Sequence, residues 1–229
     1  MIYKIIIPAR KNSKRLPNKN MKILVNKPLI QYSIDFALDN FHSVDIWVNS
    51  DCEEIIEFAK LFGVNTINRP PELATDYTPT VDVLNHNISY FKKNNIKCES
   101  VILLQPTNPL RDKDLLKIAI EKFENSNRNS LSTFSMQKNK IGFINNAFFK
   151  PDNYIPGQRS QDLTKQFFEN GQLYITKCKS ILNGKIITED VFPLICDNVE
   201  SEVDIDTIED FLFAKTLIEH KNKNKKDEE

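Results

Sequence analysis

Glycine is scarce, with five residues in 229. None falls between Ile5-Ile6-Ile7 and Asn20, where the first apolar run gives way to a polar loop. A Walker loop or a dinucleotide fingerprint, both dependent on glycine, is therefore excluded there. Cysteine is as rare: Cys52, Cys98, Cys178 and Cys196 lie far apart in sequence and form no C-x-x-C pair. That excludes a zinc site or disulfide framework and leaves free thiols suited to a reducing cytoplasm. His42, His86 and His220 are scattered along the sequence, at no metal-ligand spacing, so neither a histidine metal site nor a histidine base is indicated. No sign of charge dominates, since 31 Lys and Arg offset 31 Asp and Glu. General attraction to nucleic acid is not expected, and any basic site must be local. No apolar run approaches the ~20 residues of a membrane span. Ile5-Ile6-Ile7 stops at once in Pro8-Ala9-Arg10, without the pattern of a secretory leader. A cytoplasmic chain without membrane contact is the expectation.

What is present is ordinary in bulk and distinctive in place. Hydrophobic residues make up 40% and charged residues 27%, enough for a sizeable core in a single principal domain. Strand-like and helix-like patterns alternate. Strands are expected at 3–8, 44–49, 64–68 and 100–105, and helices at 28–40, 51–62, 80–93 and 112–125, with Asp51 capping the second helix. Continuous apolar strands alternating with helices imply an α/β fold with a mostly parallel sheet covered on both faces. Further strands are expected at 130–136, 172–176 and 191–196. An irregular insertion is expected at 137–166, a helix at 207–220, and a disordered charged tail at 221–229.

Open α/β sheets place ligands where strands end. Four polar segments do so here. Strand one releases Arg10, Lys11, Ser13, Lys14, Arg15, Lys19 and Asn20, a set suited to a polyanion; a solvated basic turn is the plain alternative. Strand three runs into Arg69-Pro70-Pro71-Glu72-Leu73-Ala74-Thr75-Asp76, whose prolines stiffen the backbone for reading a flat base edge. Strand four runs into Gln105-Pro106-Thr107-Asn108-Pro109-Leu110-Arg111. The fourth segment is Val203-Asp204-Ile205-Asp206. Alternation along an extended chain turns Asp204 and Asp206 to one side and Ile205 to the core. Mg²⁺ suits one or two such carboxylates completed by water and substrate phosphates; capping of the last helix would explain Asp206 alone. A further polar concentration, Arg159-Ser160-Gln161-Asp162 followed by Glu169-Asn170-Gly171-Gln172-Leu173-Tyr174, offers donors for a carboxylate and hydroxyls, or is a surface loop entering a strand.

Taken in order, these segments resemble the acylneuraminate cytidylyltransferases, which join CMP to sialic acid and related nonulosonic acids. The resemblance rests on residues 9–20, 69–76 and 103–111, on Arg159–Asp162 with Asn170–Tyr174, and on Asp204-Ile205-Asp206-Thr207. It spans about residues 8–210. It implies a Rossmann-like nucleotidyltransferase fold in residues 1–220 and a homodimer whose segment at about 137–190 caps the partner's site. It also implies that Arg10, Ser13, Lys19 and Asn20 hold the CTP phosphates, and that Arg69, Ala74 and Thr80 read cytosine and ribose. Gln105, Arg159, Gln161, Asn170 and Tyr174 would face the sugar acid, and Asp204 and Asp206 would hold Mg²⁺. Arg10, Lys19 and Asp206 would carry catalysis. Departures are Arg15 for a customary glycine, Lys11-Asn12 for small residues, and Gln137–Lys140 where the family has a His-Pro element. The implied reaction is attack by the anomeric hydroxyl on the α-phosphorus of CTP, with pyrophosphate leaving. A 3-deoxy-manno-octulosonate cytidylyltransferase and a non-catalytic nucleotide-binding relative are the alternatives.

Overall fold

Three isoleucines in a row suit a strand covered on both faces. In the computed structural model of the chain, which describes residues 1–227, they form the centre of the molecule. The elements run β1 (Tyr3–Pro8), β2 (Ile23–Leu24), β3 (Lys27–Pro28), α1 (Leu29–Leu38), β4 (Ile46–Ser50), α2 (Glu53–Lys60), β5 (Asn65–Asn68), α3 (Thr80–Lys93), β6 (Ser100–Leu103), α4 (Leu115–Ser126) and β7 (Ser130–Met136). They continue with β8 (Gly142–Asn145), β9 (Phe148–Pro151), β10 (Phe167–Lys177), α5 (Cys178–Leu182), β11 (Phe192–Ile195) and α6 (Ile208–Asp227). The main sheet has seven strands in the order β11-β7-β10-β6-β1-β4-β5. β1 pairs in parallel with β4 and β6, β4 with β5, and β7 with β11. Only β10 runs against its neighbours, β6 and β7.

The period of two along β1 divides the core. Ile5 and Ile7 pack with Ile30, Ile34, Val48, Leu116 and Phe123 on one face. Ile6 packs with Trp47, Leu84, Ile88, Phe91 and Leu103 on the other. Each isoleucine is fully buried, a contribution of roughly 1.5–3 kcal/mol apiece. A third cluster bears directly on the site: Leu16, Leu24, Leu29, Val203, Ile205, Phe211, Ala214 and Ile218 pack together. Through it α6 and the Asp204–Asp206 segment close on the loop that follows β1.

Several expectations need correction. Asp51 does not cap α2: the N-cap is Cys52, and the Asp51 carboxylate accepts the Lys11 amide at 2.8 Å. α4 begins at Leu115, after an Asp112–Asp114 turn. β10 begins at Phe167, five residues before the expected start, because Phe167–Glu169 extend the ladder with β7 beyond a bulge. β10 and α5 therefore belong to the sheet and its cover, and of the range 137–190 residues 137–166 stand apart. Within them β8 and β9 pair only with each other. Asn146 and Ala147 both take positive φ at their turn (47° and 66°), the two-residue geometry that matches strand twist. α6 runs through Asp227, so residues 221–227 of the expected tail are helical, and residues 228–229 lie outside the described residues. Lys221 pairs with Glu200 at 3.1 Å, and Lys215 with Glu219 one turn away. Cys98 and Cys178, remote in sequence, bring their thiols within 3.4 Å; all four cysteines are free. No helix among the described residues is long and apolar enough to cross a membrane.

Candidate active site

Parallel strands β1, β4, β5 and β6 deliver their carboxyl ends to one edge, and the polar segments meet there. Two adjoining lobes of about 250 and 300 Å³ form one cleft, sharing Arg10, Lys19, Asn20 and Asp76. The first lobe adds Arg69, Thr75, Thr78, Thr80 and Gln105; the second adds Ser13, Lys14, Arg15 and Asp206.

The loop after β1 is held by its own polar groups. Asn20 donates its side-chain amide to the Arg10 carbonyl at 2.9 Å, clamping the loop at its base. Lys19 is buried, yet its ammonium is well placed: it donates to the Ile205 carbonyl at 2.8 Å and to Asp206 Oδ1 at 2.9 Å. Arg15 Nη2 takes Asp206 Oδ2 at 2.6 Å. Asp206 is free for this because the cap of α6 is built by others. Thr207 and Asp210 bond each other's amides reciprocally, as in a capping box. The view of Asp206 as a plain helix cap is thereby set aside.

The two late aspartates share one charged environment. Ile205 is buried between them, and its amide donates to the Thr107 carbonyl at 2.8 Å. Burial pushes the Asp204 carboxyl up; a hydrogen bond from Thr107 opposes this, and the Asp206 charge adds to it. Two neighbouring carboxylates, one resisting ionisation, fit a divalent ion completed by phosphate oxygens. Among the described residues no group of three or more His, Cys, Asp or Glu side chains is arranged to hold a metal, so such an ion would need ligand oxygens to complete its shell.

Arg69 forms the opposite wall. It is buried, donating to Asn49 Oδ1 at 2.6 Å and to the Asn49 carbonyl at 2.9 Å. Burial pulls its pKa down to about 10, which still leaves it charged near neutrality. Asn49 in turn donates to Asn87 on α3 at 3.0 Å. The sequence reading missed this brace, because Asn49 and Asn87 are unremarkable until β4 and α3 face each other. It also missed Arg111 as a staple. Partly buried, Arg111 donates to the carbonyls of Gln105 and Gln172, both at 2.7 Å, and to Ser33 Oγ at 3.0 Å. Gln105 is thus fixed where β6 ends.

Other expected residues sit elsewhere. Asn170 is buried in the β10 bulge: its amide donates to Ser135 Oγ, its Oδ1 accepts from the Gln172 amide, and its carbonyl accepts from Asn108. Its side chain is committed to the fold, a correction to its assignment to the sugar. Ala74 does not line the lobe; its amide donates to Pro71, while Leu73 and Thr75 face the cleft. Arg159 pairs with Asp162 at 2.8 Å on an exposed turn, and neither it nor Gln161 lines the cleft of its own chain. Tyr174 is near Asp204: burial pushes its hydroxyl pKa up, followed by the charges of Glu169 and Asp204. Glu169 was missed as a residue of this corner.

Gly171 permits the bulge. Its φ is +74°, and an added Cβ would lie 3.0 Å from Asn108 Oδ1 and 3.2 Å from Gln105 Oε1. Gly171→Ala is expected to cost ~1–3 kcal/mol of stability through left-handed strain, measured by urea unfolding, with Gln105 displaced from the cleft.

Comparison with known proteins decides the family. The model of a family described as Cytidylyltransferase matches residues 4–228. The chain belongs to this family. It is 36% identical over 225 residues to the pseudaminic acid cytidylyltransferase of Campylobacter jejuni, covering 93% of this chain and 94% of that protein. It is 30% identical to the CMP-N,N'-diacetyllegionaminic acid synthase of Legionella pneumophila, covering 93% and 95%. It is 32% identical to an N-acylneuraminate cytidylyltransferase of Streptococcus agalactiae, covering 91% of this chain and 51% of that protein. Among solved structures, a CMP:2-keto-3-deoxy-manno-octonic acid synthetase complexed with CTP aligns with a TM-score of 0.69 at 17% identity, covering 96% of this chain and 100% of that one. At that identity the likeness speaks for the nucleotidyltransferase fold alone.

Proposed function

We propose that this cytidylyltransferase transfers CMP from CTP to the anomeric hydroxyl of a sialic-acid-like nonulosonic acid, releasing pyrophosphate. The relatives that it matches along nearly its whole length are named for pseudaminic and legionaminic acids. The observation that carries the reading is the junction of the lobes, where Lys19 of the first loop meets Asp206 of the last segment.

In this reading Arg10, Ser13, Lys19 and Asn20 hold the triphosphate. Arg69 and Thr80 face cytosine and ribose, and Gln105 and Tyr174 face the sugar acid. Asp204 and Asp206 hold Mg²⁺, which supplies neutralisation of phosphate charge when bound. Arg10 and Lys19 orient the phosphate chain and stabilise charge developing on the departing oxygens, the largest lever in phosphoryl transfer. His86 lies behind Arg69 and lines neither lobe. Chelation with EDTA is expected to stop turnover, and added Mg²⁺ to restore it, read by pyrophosphate release.

A homodimer belongs to the proposal. Phe143, Ile144, Phe148 and Phe149 are 52–79% exposed on the β8–β9 hairpin, which leaves the sheet. A cluster of large apolar side chains in water favours burial against a second copy, and the segment carrying Arg159 and Gln161 would reach the partner's sugar pocket. Phe148→Asp combined with Phe149→Asp is expected to yield monomers in sedimentation velocity. A cytoplasmic setting follows from the use of CTP.

The test is mass detection of CMP conjugates after incubation with CTP, Mg²⁺ and a panel of eight- and nine-carbon sugar acids. Conjugates of nine-carbon acids are expected. A conjugate with 3-deoxy-manno-octulosonate alone would overturn the sugar assignment.

A further inference from the structure

Four cations of the first loop, Arg10, Lys14, Arg15 and Lys19, are already engaged by the protein's own carboxylates, in two groups. Arg15 and Lys19 hold Asp206. Arg10 Nη1 holds Asp76 Oδ1 at 2.5 Å, and Lys14 Nζ holds Asp76 Oδ2 at 2.7 Å. Asp76 follows the short turn Pro71–Leu73, in the segment that gives Leu73, Thr75 and Thr78 to the first lobe, and it lines both lobes itself. Its side chain is attached to the cleft at both oxygens by residues of the opposite loop. A carboxylate bridging an arginine and a lysine occupies the donors that two phosphate oxygens would take. The hydrogen bonds from Lys14 and then Arg10 hold the Asp76 carboxyl below its ordinary value, so it is ionised at neutral pH.

We propose that Asp76 is a specificity-determining residue that fills the phosphate position of the empty cleft, so that only a ligand whose phosphate chain reaches Arg10 and Lys14 displaces it. The inference rests on the nucleotide reading above and deepens it. Both pairs are partly open to water, and such pairs are weak enough to exchange. A nucleoside gains the base lobe and leaves Asp76 in place. A triphosphate replaces Asp76 on both cations and frees the 74–78 segment, including the exposed Tyr77 ring that lies 5.7 Å from Lys14 Nζ. After transfer, Asp76 competes with pyrophosphate for the same two donors and assists its departure.

Titration calorimetry with pyrophosphate and with cytidine, on the wild type, Asp76→Asn and Asp76→Glu, tests this. Asp76→Asn is expected to bind pyrophosphate roughly three- to tenfold more tightly, the factor for removing two partly exposed competing pairs, with cytidine affinity unchanged. Asp76→Glu keeps the charge and should stay near the wild type. Equal or weaker pyrophosphate binding by Asp76→Asn overturns the inference and makes Asp76 an orienting or metal-holding group. Equal tightening for cytidine overturns it too. If neither the wild type nor Asp76→Asn binds pyrophosphate, the phosphate assignment of the loop fails, and the proposed function with it.

Discussion

Asp206→Ala is expected to lower the rate of CMP transfer by about 10²- to 10³-fold, the usual loss when one charge-stabilising group is removed from a preorganised site. The geometry gives the loss a specific cause. Asp206 is the meeting point of Lys19 and Arg15 and, with Asp76, one of the two carboxylates lining the phosphate lobe. The start of α6 does not depend on it, since Thr207 and Asp210 bond each other's amides. Pyrophosphate release should therefore fall far more than the melting temperature, since the fold loses the Lys19 and Arg15 pairs but not the cap. Asp210→Ala is the complementary control. Loss of a cap costs ~1 kcal/mol, so it should lower the melting temperature and leave more activity than Asp206→Ala.

Lys19→Met is expected to reduce transfer at least as much, by about 10²- to 10³-fold, and it should also destabilise the fold. Lys19 is buried, and its ammonium satisfies the Ile205 carbonyl as well as Asp206. Methionine fills the stem's volume but leaves that carbonyl unpaired, a cost of about 1–3 kcal/mol for a buried polar group. Lys19→Arg should not rescue, because a planar fork cannot replace a compact ammonium between two close oxygens. Calorimetric unfolding alongside a turnover assay separates the two effects. Equal stability of Lys19→Met and wild type would contradict the structural half of the role.

Where a side chain's environment follows from local pattern, the sequence was sufficient. β1, β7 and α3 occupy the expected residues because continuous apolar runs and helical spacing leave one economical arrangement. The joining of Arg10, Lys19 and Asp206 in one cleft follows from strand ends sharing an edge. What was not legible depends on pairing at a distance. Asn170 has the composition of a ligand residue, but the bulge in β10 turns its amide toward Ser135. Asp51 has the spacing of a cap, but the β1 loop brings the Lys11 amide to it first. Arg111 reads as one more loop cation until β6 and β10 are antiparallel neighbours, when its guanidinium bridges the Gln105 and Gln172 carbonyls. The early start of β10 was hidden because polar residues around 160–166 mask a ladder formed with β7, thirty or so residues upstream. Asp76 stood within a recognised motif, yet only the fold shows that it reaches across to Arg10 and Lys14.

The most direct measurement is a crystal structure with CTP and Mn²⁺, using the anomalous signal of the metal. The account predicts phosphates against Arg10 and Lys19, cytosine against Arg69, and a manganese peak between the phosphate chain and the carboxylates of Asp204 and Asp206. A nucleotide bound with its phosphates away from Arg10 and Lys19, or a metal peak remote from both aspartates, would contradict it.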